Sequence, residues 1–405
     1  MPFTLRLVAV GSLLATPLAA QRGRQAPAAP PAGWPAFTQT FDQYVAQDSS
    51  VGASVLLLAD GRVVARHDVG YGDRAAGQRT DSNTIYHWAS ITKTLTAVAI
   101  MQLRDLGKLS LDDRVTNYLP ELRQVHNPYG SMDDITIRML LSHAAGFQDP
   151  TWPYRRGEPW EPFEPTRWEQ LVAMMPYQQL RFRPGSQYGY SNPGFIYLAR
   201  IIEQLTGDSW QTYVYKNLFG PLGLTRSYFA ATPYYLAPYR SNNYDVTADS
   251  AGHLSVTANG RDFDPGITIP NGGWNAPLGD LVLWLRFLSG AAGGDSSLAR
   301  RYDLVLRRSS LEEMWQARYL AGEPVATPDV PADSIGMSFF VLWRAGKRFV
   351  GHTGSQAGFR SFFYLDPVTR AGVIAAFNTT NYARPRESAA GFRAVRDSAL
   401  ALIGR

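Results

Sequence analysis

The sequence predicts a mixed α/β (α+β) fold: one antiparallel sheet formed from N- and C-terminal segments, flanked by helices, with an inserted all-α domain. Three observations predict it. Strand patterns cluster at residues 53–70 and 339–378, the stretch between them reads as helical segments and long loops, and amphipathic helices bracket the whole at 35–47 and 387–403. With 405 residues, 45% of them hydrophobic and 18% charged, the chain can bury one large core or two smaller ones, which excludes a solvated, disordered polymer.

Taken in order, residues 1–20 read as a secretory signal: Arg6 precedes an apolar run from Leu7 to Leu18, and Ala19-Ala20 supply small residues ahead of Gln21. The run is too short for a comfortable membrane span, so the mature chain is expected to have none and to be secreted, with the periplasm the expected compartment. Residues 21–35, rich in proline and alanine, bury too little apolar surface to order themselves and read as a spacer. The domain proper is 36–405, with a sheet subdomain at about 36–89 and 335–405 and a helical subdomain at about 90–334.

Within it, Phe37, Phe41, Tyr44 and Val45 recur at helical spacing. Residues 53–59 and 63–70 are strand-like and are joined by Asp60-Gly61, a strong hairpin turn. A helical pattern from Ile91 to Leu106 stops at Gly107, a suitable residue just past a helix end. The middle holds an aromatic-rich insertion from Phe147 to Trp168 and a tyrosine-rich stretch from Tyr228 to Tyr244. Strand character returns at 339–343, 348–352, 360–365 and 372–378, and the last helix closes the chain.

Composition removes several functions. The net charge of +5 is scattered, with no basic run longer than pairs such as Arg155-Arg156 and Arg307-Arg308, so no nucleic-acid partner is expected. Cysteine is absent, which excludes disulfides, thiolate metal sites and a cysteine nucleophile. His67, His87, His126 and His253 lack metal-ligand spacing, so neither metal nor cofactor is expected. His143 reads as a structural histidine at a helix end, and Asp280 as the cap of a helix running on through Leu281 to Leu288.

The chemistry is concentrated elsewhere. Ser90-Ile91-Thr92-Lys93 sets a hydroxyl and an amine one helical turn apart, directly before an apolar run. Serine is a weak nucleophile until a neighbour takes its proton, and lysine serves only where burial or nearby positive charge leaves it neutral. The chain has four lysines among 39 basic residues, so an exposed solubilising position would carry arginine; Lys93 is the only charge between Trp88 and Met101 and is expected to be buried. Two further groups fall at element edges. Tyr190-Ser191-Asn192 precedes a helical run, and His352-Thr353-Gly354-Ser355 ends a strand, where Gly354 would let backbone approach a substrate closely.

These residues resemble the serine β-lactamases of class C type, the penicillin-binding DD-peptidases and their esterase and aminopeptidase relatives, marked by Ser-x-x-Lys, Tyr-x-Asn and Lys/His-Thr-Gly in this order. The likeness extends to Leu140-Leu141-Ser142-His143-Ala144-Ala145-Gly146, to Phe219-Gly220-Pro221-Leu222-Gly223-Leu224 and to Gly272-Gly273-Trp274, and covers the chain from about Pro35 onward. It implies a β-lactamase/transpeptidase-like fold. It further implies Ser90 as the acylated nucleophile, Lys93 as its proton acceptor or as the cation that keeps Tyr190 acidic, and Tyr190 as the shuttle to the leaving group. Asn192, His352, Thr353, Gly354 and Ser355 would bind substrate, with the backbone N–H groups of Ser90 and Ser355 as the oxyanion hole.

The departure is His352, where β-lactamases and DD-peptidases usually carry lysine; histidine is largely neutral near pH 7 and offers no fixed cation for a substrate carboxylate. The expected activity is therefore that of an exported serine hydrolase acting on a small-molecule or peptide amide or ester, with esterase or D-amino-acid peptidase activity ahead of efficient β-lactam hydrolysis. The alternative is a non-hydrolytic penicillin-recognising or peptidoglycan-sensing binder. Oligomeric state is left open.

Overall fold

The structure, a computed structural model, describes residues 29–147, 165–321 and 333–404. Residues 1–20, read as a signal, and most of the 21–35 spacer lie outside the described residues, as does the larger part of the aromatic insertion. The last two spacer residues, Trp34 and Pro35, already belong to the first helix, Trp34–Gln47.

The two chain ends meet in one nine-stranded sheet. Its spatial order is Gln78–Arg79, Arg62–Asp73, Gly52–Ala59, Gly372–Phe377, Phe359–Leu365, Lys347–Gln356, Phe340–Arg344, Ser334–Ile335 and Tyr319–Leu320. The join is antiparallel, with Ala53 opposite Phe377 and Leu58 opposite Gly372. The first hairpin turns as its sequence requires: Asp60 and Gly61 both take positive φ, 45° and 72°, the two-residue turn whose twist matches its strands. Ala345-Gly346 repeats this at φ 50° and 74° between Phe340–Arg344 and Lys347–Gln356.

Strand residues alternate between two cores, which is why the central strands read as unbroken apolar runs. Val55, Leu57, Val373 and Ala375 pack under the terminal helices Trp34–Gln47 and Pro385–Ile403, where Phe41 and Phe392 lie 5.3 and 5.8 Å from the Phe377 ring. Leu56, Leu58, Ile374 and Ala376 face the larger core, which also holds the helix Thr92–Asp105. That helix is buried from Thr92 through Leu103, the condition of a central rather than a surface helix.

The α+β class and the antiparallel sheet built from both termini hold, and four expectations need correction here, besides that of His352 taken up with the site. The insert is not all-α: Asn243–Ala248 and Leu254–Gly260 form a hairpin joined by Thr379–Asn381, and Trp274–Pro277 pairs with Ile85–Ala89 and Tyr228–Phe229. The hairpin strands carry many polar or exposed residues, Tyr228–Phe229 and Trp274–Pro277 are only two and four residues long, and several pairings join distant parts of the chain, so no local apolar alternation marks them. His352-Thr353-Gly354-Ser355 lies inside Lys347–Gln356 rather than at a strand end, because pairing with Phe359–Leu365 continues to Gln356. Asp280 sits inside the first turn of Leu278–Ser289 instead of capping it; its carboxylate accepts from Ser227 Oγ at 2.8 Å and Arg226 N–H at 3.0 Å. The fourth concerns Gly354 and is taken up with the site. Among the described residues no helix is long and apolar enough to cross a membrane.

Candidate active site

Ser90 lies where a buried strand turns into a buried helix. Ile85–Ala89 ends with Ala89 at φ 48°, a left-handed conformation in which an alanine is strained, and Thr92–Asp105 begins two residues after Ser90. The turn is tied down. Thr92 Oγ1 donates to the Ala89 carbonyl at 2.6 Å and accepts from Trp274 N–H at 2.9 Å, while Ile91 N–H donates to the Trp88 carbonyl at 3.2 Å. The helix has no side-chain cap, so the Ser90 hydroxyl is not spent on capping.

One turn on, Lys93 is fully buried. Its Nζ lies 3.1 Å from Ser90 Oγ, 2.7 Å from Asn192 Oδ1 and 2.8 Å from the Asn271 carbonyl. Asn271 Nδ2 also donates to Asn192 Oδ1, at 3.2 Å, which fixes that amide's orientation. The two carbonyl oxygens can only accept, so they take two N–H groups of the amine. The third valence points at Ser90 Oγ, as an N–H when Lys93 is charged and as a lone pair able to receive the serine proton when it is neutral.

Tyr190 and Asn192 come from the loop and first residue of the helix Asn192–Thr206, whose N-cap Ser191 accepts from Gly194 N–H at 3.2 Å. The Tyr190 ring centre is 4.9 Å from Lys93 Nζ. His143, read from sequence as structural, is also here: its ring stacks on Tyr190 at 4.4 Å and its Nδ1 accepts from Ser191 N–H at 3.0 Å. Asn271 likewise escaped the sequence reading, because its carbonyl bond to Lys93 and its side-chain bond to Asn192 join positions 178 and 79 apart in the chain and leave no local motif.

The third group alternates as a strand must: His352 and Gly354 are buried, while Thr353 and Ser355 face outward with at least part of their surface exposed. His352 was expected to touch substrate, but it is 0% exposed and its Nδ1 is paired with the Thr353 carbonyl. Burial, reinforced by the charge of Lys93, lowers its pKa to about 3. It is a neutral wall behind Tyr190, 6.5 Å between ring centres. Gly354 was expected to admit substrate; a Cβ there would lie 2.2 Å from the Trp88 carbonyl, so its bareness admits the chain that leads into Ser90. Through this contact the Ser355 strand is drawn against the Ser90 turn. Among the described residues no group of three or more metal-ligating side chains is placed to hold a metal ion.

The fold is that of the β-lactamase and penicillin-binding-protein class. The chain belongs to the β-lactamase family, whose family model matches residues 37–397. It is 24% identical over 335 residues to Protein flp of Staphylococcus aureus (strain COL), covering 83% of this chain and 61% of that protein, so it spans about three fifths of that relative's length. Among solved structures it is similar to the octameric penicillin-binding protein homologue from Pyrococcus abyssi, with a TM-score of 0.71 at 24% identity over 92% of this chain and 78% of that one. It is also similar to the D-amino acid amidase from Ochrobactrum anthropi SV3, with a TM-score of 0.70 at 20% identity over 91% and 98%.

Proposed function

We propose that this protein is an exported serine hydrolase that turns over an amide or ester through a Ser90 acyl-enzyme. The observation that carries the reading is the buried Lys93, held by Asn192 Oδ1 and the Asn271 carbonyl with its remaining valence on Ser90 Oγ. Ser90 Oγ attacks the substrate carbonyl and its proton passes to Lys93; the oxyanion is met by the N–H groups of Ser90 and Ser355. As the carbonyl re-forms, the bond to the leaving group breaks and that group takes a proton through Tyr190. Water then attacks the acyl-enzyme, releasing a carboxylic acid and restoring the Ser90 hydroxyl. Export rests on the sequence of residues 1–20.

The substrate class follows from His352. A buried neutral imidazole supplies no cation at the position where a lysine would meet a carboxylate, which favours esters and D-amino-acid amides or peptides over β-lactams. The amidase likeness points the same way. The test compares p-nitrophenyl butyrate, D-phenylalanine amide and the β-lactam nitrocefin. Many turnovers of the ester or the amide, with nitrocefin slower, are expected. A nitrocefin preference would overturn the substrate assignment, and a single equivalent of product from every substrate would make the protein a binder.

A further inference from the structure

We propose that His143 is a positioning residue that holds Tyr190 where it donates its proton to the leaving group, an inference that rests on the Ser90 acyl-enzyme reading. Three consecutive residues of the Tyr190 loop are fastened to this one histidine. Gly189 N–H donates to its carbonyl at 2.8 Å, Tyr190 stacks on its ring at 4.4 Å with 21° between the planes, and Ser191 N–H donates to its Nδ1 at 3.0 Å. The next residue, Asn192, is the one bonded to Lys93. His143 itself takes φ 54° just after the short helix Ile137–Leu141, a left-handed turn that histidine adopts more readily than most residues.

The ring's protonation follows from its partners. Nδ1 accepts a backbone N–H and is therefore bare, so the neutral ring carries its hydrogen on Nε2. That Nε2 is buried and has no hydrogen-bond partner among the described residues. His352, whose ring centre is 6.5 Å from that of Tyr190, has the opposite tautomer, because Nδ1 faces a carbonyl that can only accept and must carry the hydrogen; its Nε2, an acceptor, is equally buried and has no partner among the described residues. Both rings stay neutral, since burial opposes protonation, as does Lys93 whenever it is charged. Ser142 Oγ and Ser338 Oγ are likewise buried with no partner among the described residues, and Ser338 N–H donates to the Leu141 carbonyl at 2.7 Å, beside Ser142. Polar atoms left unpaired in a core are costly, and two of them sit on rings whose centres lie 4.4 and 6.5 Å from that of Tyr190. A packing residue would dispense with that cost; a residue that orients a phenol needs the imidazole's flat face and its Nδ1 acceptor together. Orientation is what a proton donor requires at the moment the bond breaks.

The experiment compares two esters of one acid on the full chain. Ethyl butyrate expels an alkoxide that needs a proton, whereas p-nitrophenyl butyrate expels a phenolate that does not. In His143→Ala, kcat/KM for the ethyl ester is expected to fall about 100-fold, the scale of general-acid catalysis, and for the p-nitrophenyl ester by less than about 5-fold. His143→Phe keeps the ring and His143→Asn keeps an acceptor, and each is expected to recover part of the loss; they carry the same comparison should the alanine variant fail to fold. Equal losses for both esters, or no loss for either in a folded variant, would overturn the proposal. A wild-type protein that takes no acyl group on Ser90 would instead remove the reading beneath it, and this inference with it.

Discussion

Lys93 Nζ donates to Asn192 Oδ1 across 2.7 Å although 99 positions separate the two residues in the chain. This bond closes the site: it ties the helix that follows Ser90 to the helix that follows Tyr190, and it orients the amine on Ser90. On the reading proposed above, Asn192 would thereby act on Lys93 as well as on a substrate amide.

Lys93→Met is expected to cut turnover sharply while leaving the fold in place. The thioether fills the slot, and Asn192 Oδ1 keeps its bond from Asn271 Nδ2 at 3.2 Å, so the change in stability should stay within about 2 kcal/mol. Loss of the base should lower kcat/KM by about 10²- to 10⁴-fold. Ester kinetics set beside a thermal melt of the same preparation check both halves; a folded variant with near wild-type kcat/KM would remove Lys93 from the mechanism.

Stability should fall steeply with mild acid. Burial lowers the pKa of His87 to about 4, with Arg240 adding to the effect; it lowers His352 to about 3 and His143 well below the ordinary 6.5. All three are depressed bases, so between pH 6.5 and 4 the unfolded chain binds protons that the native state refuses. The unfolding free energy therefore drops as pH falls, by about 1 kcal/mol per pH unit for each histidine. Below pH 4 the native state begins to take up the His87 proton and that contribution levels off. Urea unfolding at pH 7.5, 6 and 5 measures the slope; equal midpoints would show that these imidazoles are not buried neutral.

How much of this was legible follows from how local each feature is. Ser90 and Lys93 share one helical turn, and Tyr190 and Asn192 adjoin one helix N-terminus, so short spacing carried their geometry. The apolar strands at both ends showed as runs because both their faces are buried. Gly354 was assigned the wrong neighbour, since a bare glycine shows that something comes close without showing what. His143 needs a stack and a hydrogen bond across 48 positions, and its one local trace is its place after Leu140-Leu141-Ser142 at the end of a short helix. The strands Asn243–Ala248 and Leu254–Gly260 carry many polar or exposed residues and therefore lacked an apolar pattern.

The central claim is that Ser90 is the residue acylated, and the most direct measurement is the mass and position of a covalent adduct. After treatment with a fluorophosphonate, the intact chain should gain one phosphonyl group, and peptide mapping should place it on Ser90; Ser90→Ala should gain none. An adduct on another residue, or labelling undiminished in Ser90→Ala, would contradict the account.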